Sequence, residues 1–214
     1  VSLKIFLKNF FFPPFCVGCF RPGVILCYDC FSKLASPKQL SSESFSFFGY
    51  GGLASRLLKK AKYRGFRSII ETLLENLPLI KRLEFWNFLQ QNHCQMFCYL
   101  PITEADYRVR GYNQAEVIAR YLANVYHLGL GSSLIKVRQN QKQSMLKSRE
   151  ERVTNVQGVY RVITSAQIKH KTVALVDDVI TTGSTIKEAE RMLLERGAKR
   201  VLKVSLFRAG FLKR

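Results

Sequence analysis

Val173-Ala-Leu-Val176 runs directly into Asp177-Asp178-Val-Ile-Thr181-Thr182-Gly183-Ser184-Thr185, and no other segment restricts the fold as much. Four consecutive apolar residues bounded by polar ones read as a strand buried on both faces, as parallel sheets require. The strand, Lys171 to Val176, ends where polar chemistry begins. Thr181 to Thr185 place hydroxyls and backbone N–H groups around a glycine that permits a tight turn. The periodic segment Thr185 to Arg196 is a helix whose N-terminus aims unpaired N–H groups and a positive dipole end at the same place. Such a place attracts phosphate. Asp177 and Asp178 would repel it, so their carboxylates suit ribose hydroxyls or a Mg²⁺ that accompanies a polyphosphate. The loop reads as a grip for a sugar phosphate.

The 214 residues suffice for one α/β domain and a small accessory module. Thirty-four Lys and Arg against fifteen Asp and Glu leave a net charge of +19, which points to a polyanionic partner, nucleic acid ahead of an anionic membrane surface. Lys4, Lys8 and Asn9 interrupt the apolar lead-in, which argues against a signal peptide, and no apolar run is long enough to span a bilayer. A cytoplasmic protein is expected. Leu3, Phe6, Leu7, Phe10 and Phe11 fall at helical spacing. That stripe suits docking onto the protein's own core, or a peripheral seat at the inner face of the cytoplasmic membrane.

Cys16-Val-Gly-Cys19 and Cys27-Tyr-Asp-Cys30 form C-x2-C-x7-C-x2-C. Two such knuckles can set four thiolates tetrahedrally around Zn²⁺, and disulfides, the alternative, are rare in the cytosol. With cysteine at all four positions no coordination site stays open, so the zinc is structural, folding a segment too small for a core. Gly18 eases the first turn. Cys94 and Cys98 read as core residues.

Residues 1–40 therefore form a lead-in and zinc-knuckle module, and 41–214 an α/β domain with a helical insert about 52–92 and a core sheet about 95–214. Ser36 to Ser46 reads as a linker, with a short strand over Phe45 to Tyr50. A basic helix follows, with Leu53, Leu57, Leu58 and Ala61 inward. Ser68 and Glu71 have capping-box spacing for a helix over Ile69 to Asn76, and Leu83 to Gln91 is helical too. Then come a strand at Met96 to Ile102, a charged loop at Thr103 to Gly111, and a helix capped by Asn113 and Glu116. Strands at Leu134 to Val137 and Val156 to Val162 flank a long polar loop, Arg138 to Asn155. Gly197 stops the helix after the phosphate loop, and Arg200 to Phe207 is the last strand. Strands alternating with helices predict a mostly parallel sheet with helices on both faces, binding ligand at the strands' carboxyl ends.

The cysteine knuckles, Lys62-Tyr-Arg64-Gly65, Arg110-Gly-Tyr-Asn113-Gln114, Gln143 upstream of Arg152 and Asn155, and the acidic phosphate loop form an ordered set. In that combination the chain resembles the ComF/GntX family of competence proteins with a type I phosphoribosyltransferase domain. The resemblance covers nearly the whole chain. It implies a type I phosphoribosyltransferase-like sheet, a phosphoribosyl pyrophosphate and Mg²⁺ site, and a role in natural transformation, where incoming DNA reaches the cytoplasm single-stranded. Asp177 and Asp178 would hold the ribose diol and Thr181, Thr182, Gly183, Ser184 and Thr185 the 5′-phosphate. The loop bearing Arg110 would meet pyrophosphate, and the polar loop would close over the site. Implied partners are single-stranded DNA, phosphoribosyl pyrophosphate, and other competence proteins such as a helicase or DNA-processing factor.

Lys62 and Arg64 can meet either the pyrophosphate or a DNA backbone, Arg64 by bidentate contact and Lys62 as a point charge. Lys59, Lys60, Lys62, Arg64, Arg108 and Arg110 make up the candidate DNA surface. Tyr107 and Tyr112 either stack bases beside those cations or simply pack. Lys136, Arg138, Lys142, Lys147, Arg149 and Arg152 give the polar loop its charge. His93, His127 and His170 are isolated and receive no role. Three functions fit: a handler of single-stranded DNA, an active phosphoribosyltransferase with an unidentified acceptor base, and a regulator that senses phosphoribosyl pyrophosphate. No catalytic residue stands out.

Overall fold

The computed structural model describes residues 14–37, 41–62, 66–137 and 158–210. In chain order its elements are α1 (Tyr28–Phe31), β1 (Ser44–Gly49), α2 (Gly52–Ala61), α3 (Arg67–Glu75), α4 (Leu79–Gln91), β2 (Met96–Tyr99), α5 (Glu104–Arg110), α6 (Gln114–Tyr126), β3 (Gly129–Gly131), β4 (Leu134–Lys136), β5 (Tyr160–Val162), β6 (Thr172–Ile180), α7 (Ser184–Glu195) and β7 (Arg200–Arg208).

Five strands lie side by side in the order β1-β7-β6-β2-β3, every pair parallel. Strand alternation divides the core into two layers. Ala174 and Val176 of β6, Phe97 of β2 and Leu202 of β7 join Leu57, Leu73, Phe85 and Ile118 from α2, α3, α4 and α6. Val173 and Leu175 of β6, Met96 and Cys98 of β2 and Val201 of β7 face the other way, against Ile186, Ala189 and Leu193 of α7 and Tyr160 and Val162 of β5. Strands buried on both sides explain why β6 reads as an unbroken apolar run rather than an alternating one. Edge strand β1 is sealed by aromatic packing, with Phe45 and Phe47 each 4.9 Å from Phe85 between ring centroids. β4 and β5 form a separate antiparallel hairpin.

From β2 the chain moves outward to β3, then returns to place β6 on the opposite side of β2. Such a reversal opens a crevice at the strands' carboxyl ends. β2 leaves the sheet at Tyr99, paired with Val176, while β6 and β7 stay paired through Ile180 and Arg208. Asp177 and Asp178 therefore lie on a strand that has lost one neighbour, instead of in a loop beyond its end as the apolar run suggests. Pairing with β7 keeps this polar stretch extended.

Several local expectations change. Thr103 to Gly111 is mostly helix α5: the Thr103 hydroxyl accepts from the Asp106 N–H at 3.1 Å, and Gly111 closes the helix at φ +80°. Glu104–Arg108 and Asp106–Arg110 pairs one turn apart support it. Ser68 does not cap α3, which begins one residue before it, and Glu71 pairs with Arg67 at 2.8 Å. Asn113 caps α6 by accepting from the Ala115 N–H, but Glu116 reaches forward to Arg120. Ser44 and Ser46 belong to β1, and buried Ser46 bonds Ser205 of β7 at 2.7 Å. His93, His127 and His170 all occupy left-handed turn positions, φ +50° to +61°.

Candidate functional site

The Cys16, Cys19, Cys27 and Cys30 sulfurs lie within 4.8 Å of one another. Tetrahedral zinc with bonds of about 2.3 Å implies sulfur–sulfur edges of about 3.8 Å. Cys16–Cys27 and Cys19–Cys27 lie 3.7 and 3.6 Å apart, so the thiols already have nearly the spacing that the ion needs. Burial pushes the Cys16 thiol up, but N–H groups of Cys27, Cys19 and Gly18 outweigh it and bring the group to about 6. A thiolate is the form that binds metal. Gly18 is needed for room more than for the turn: a Cβ there would stand 2.5 Å from the Cys30 sulfur. The cluster fits a structural zinc with four protein donors.

The second constellation lies in the crevice between β2 and β6. Lys62, Arg110, Lys136, Tyr160, Asp177, Asp178 and Thr185 line a cavity of about 130 Å³, with Leu100 to Ile102 and Asn113 to Ala115 as its remaining wall. Lys62 Nζ lies 3.7 Å from Asp178 Oδ2, and Arg110 is held 2.9 Å from Asp106. The Asp178 N–H donates to Asp177 Oδ1 at 2.8 Å. Burial, and then the Asp178 charge, hold the Asp177 carboxyl well above the ordinary carboxylate range, against the pull of that N–H and of Lys62. Beside the cavity, Gly183 at φ +78° caps α7, whose first turn carries Ser184 and Thr185, and Thr182 and Ser184 hydroxyls lie 3.1 Å apart.

The two sequence motifs meet here. Tyr112 donates its hydroxyl to the Ala61 carbonyl, and Gln114 Nε2 donates to the same oxygen at 3.3 Å. Asn113 Nδ2 donates to the Leu100 carbonyl at the end of β2, at 2.9 Å. Arg110-Gly-Tyr-Asn-Gln114 thus fastens the end of α2, and with it Lys62, to the strand that opens the crevice. Tyr112 is buried, so its ring packs and offers no face to a base, whereas Tyr107 is half exposed.

Of the candidate ligand contacts, Lys62, Arg110, Asp177, Asp178 and Thr185 line one cavity, and Thr181, Thr182, Gly183 and Ser184 form the adjoining turn. Arg64 lies outside the described residues, as do Tyr63, Gly65, the lead-in stripe at 1–13 and the loop over 138–157 with Gln143, Arg152 and Asn155. Lys59, Lys60 and Arg108 are not in the cavity wall. Lys60 instead lies over the Phe66 ring at 5.2 Å, and Arg108 faces Glu104 at 3.9 Å. Lys136 stood in the sequence as one loop cation among six, and Tyr160 carried no signal at all. Their place in the wall follows from hairpin register, which no motif encodes. A larger space of about 1060 Å³ lies between the cysteine module and α4. Phe31, Leu34, Phe45, Phe48, Ile80 and Phe88 dominate it, so the polar chemistry belongs to the smaller cavity. Among the described residues no helix is long and apolar enough to cross a membrane.

A parallel sheet with a phosphate-type loop, an acidic pair at its switch point and a four-cysteine module defines the class: a phosphoribosyltransferase-type domain with an N-terminal cysteine knuckle. The family model for the phosphoribosyl transferase domain matches residues 109–210. DNA utilization protein YhgH of Escherichia coli O157:H7 is 29% identical over 153 residues, covering 71% of this chain and 66% of that protein. Competence protein F of Haemophilus influenzae is 31% identical over 101 residues, 47% of this chain and 44% of that protein. Competence protein ComFC of Bacillus subtilis is 26% identical over 186 residues, 85% of this chain and 72% of that protein. The chain is similar to ComF-like proteins, and its residues 109–210 match a phosphoribosyl transferase domain. It spans less than two thirds of the first two relatives' own length.

Proposed function

We propose that the chain serves DNA uptake in the cytoplasm, holding phosphoribosyl pyrophosphate in the β2–β6 crevice and single-stranded DNA on its basic surface. The cavity carries this reading: an acidic pair, three cations and a helix N-terminus converge where the sheet reverses direction. Asp177 and Asp178 take the ribose diol, the Thr181–Thr185 turn the 5′-phosphate, and Lys62 and Arg110 the pyrophosphate. Mg²⁺, when bound with the diphosphate, would neutralise part of its charge, and the acidic pair offers the oxygen donors that such an ion prefers. Lys59, Lys60, Lys62, Arg64, Arg108 and Arg110 are the cations assigned to a DNA backbone, a contact that weakens steeply with salt. Relatives named for competence and DNA utilization support the setting.

We favour binding over base transfer, because no segment among the described residues reads as a base-recognition loop. Pyrophosphate release from phosphoribosyl pyrophosphate, measured with Mg²⁺ and a panel of bases, with and without single-stranded DNA, tests the choice. Binding of both ligands without base-dependent release is the expected result. Release that depends on one base would establish a transferase.

A further inference from the structure

The larger cavity takes no part in the crevice chemistry. This space of about 1060 Å³ between the cysteine module and α4 is floored by Phe45 and Phe48 of β1 and Phe88 of α4, with Phe31 of the module on one side. Ile80 and Tyr28 stand at its rim, 63% and 83% exposed. A surface helix ordinarily carries one apolar stripe. Helix α4 buries Phe85 and Leu89 in the core and still turns Ile80 to the groove. Glu84 and Asn87 follow Ile80 at helical spacing and share that side. Lys81 lies over the Phe48 ring at 5.8 Å, and Glu84 has no ion pair among the described residues. An open apolar surface of this extent, rimmed by polar groups, marks an interaction site.

We propose that the apolar lead-in of the same chain, residues 1–13, seats in this groove and straps the cysteine module to α4. The lead-in lies outside the described residues, and its sequence and its tether select it as the occupant. Leu3, Phe6, Leu7, Phe10 and Phe11 offer one apolar stripe, the complement of a groove floored by phenylalanines. Lys4 and Lys8 stand off that stripe and supply the cation that Glu84 lacks. The lead-in joins the described chain at Pro14, whose carbonyl accepts from the Gly23 N–H at 2.8 Å within the module that walls the groove. Its 13 residues reach at most about 45 Å, so the tether does not restrict the seat. A short tether also holds the segment at an effective concentration of about millimolar. A second copy is the weaker occupant, because each copy carries +19 and the two repel.

Photocrosslinking of the full chain with benzoylphenylalanine in place of Phe10, followed by peptide mapping, tests the proposal. Products within one chain, to residues 26–34 or 80–91, are expected. Crosslinks between two chains, to another face of the α/β domain, or to phosphatidylglycerol vesicles in preference to the chain would overturn it. Thermal melts of paired variants give an independent reading. Leu7→Asp and Ile80→Asp should each lower the melting temperature by about 2–4 °C. The double variant should fall no further than the lower single, because both changes break one contact. Ile80 is mostly exposed, so its variant keeps the fold of the domain. Losses that add in the double variant, or an Ile80→Asp chain that melts with wild type, would show that the lead-in does not occupy the groove.

Discussion

The cysteine module and the crevice beside β6 both gather buried charge, and they resolve it in opposite ways. In the module four thiols converge with little apolar support: its own buried cluster is Cys16, Cys27 and Cys30, with Leu26 and Leu53 packed against them. One divalent ion would satisfy all four donors and leave no site open. The crevice mixes signs. Carboxylates and cations pair partly with each other, and among the described residues Lys136 and Tyr160 have no ion-pair or hydrogen-bond partner on a wall backed by a large apolar core. A closed set of like donors suits a structural ion, while an open set of mixed ones suits the proposed sugar-phosphate ligand.

The contrast breaks most visibly through the metal. Chelation, or Cys27→Ser, should release about one zinc per chain and unfold residues 14–37, since structural zinc contributes on the order of 10 kcal/mol to such modules. Amide protection in β6 and β7 should persist, read by metal analysis with hydrogen exchange. Protection lost throughout the sheet would show that the two regions are one folding unit. A smaller effect is expected at the join between the motifs. Tyr112→Phe leaves the Ala61 carbonyl to Gln114 alone, costing about 1 kcal/mol in thermal unfolding. It should also weaken phosphoribosyl pyrophosphate a few-fold, because Lys62 follows Ala61. An unaltered affinity would make that bond purely structural.

The gentlest test is pH. Asp177 is faced by Asp178, Lys62, Tyr160, Lys136 and Arg110, and burial with the Asp178 charge raises its carboxyl. The folded protein therefore holds that proton at a pH where a free carboxylate has lost it. A Mg²⁺-bound diphosphate should bind more tightly as pH rises through the folded value, and ligand-free stability should fall over the same interval. Affinity that falls as the pH rises would mean that the protonated acid is the binding form.

Much of this was legible in the residues. The Val173–Val176 run, the Gly183 turn and the cysteine spacing are local features, and each sets its element without help from distant chain. What escaped depends on neighbours. The strand runs on through Asp177 and Asp178 because β7 remains beside it, which no window around 177 can reveal. Helix α5 looked like a loop because its polar residues hid the Thr103 cap and two ion pairs one turn apart. Lys136 and Tyr160 are 24 positions apart and meet only through hairpin register. Arg110-Gly-Tyr-Asn-Gln was visible as a motif, but its work on the Ala61 and Leu100 carbonyls was not.

The central claim is that the acidic pair at the end of β6 holds a sugar diphosphate. Isothermal titration of phosphoribosyl pyrophosphate with Mg²⁺ into wild type and into the Asp177→Ala, Asp178→Ala double variant tests it most directly. The account predicts one site per chain in wild type and an affinity reduced about 100-fold or more in the variant, with the fold intact by circular dichroism. Equal binding by the two proteins, or none by wild type, would contradict it.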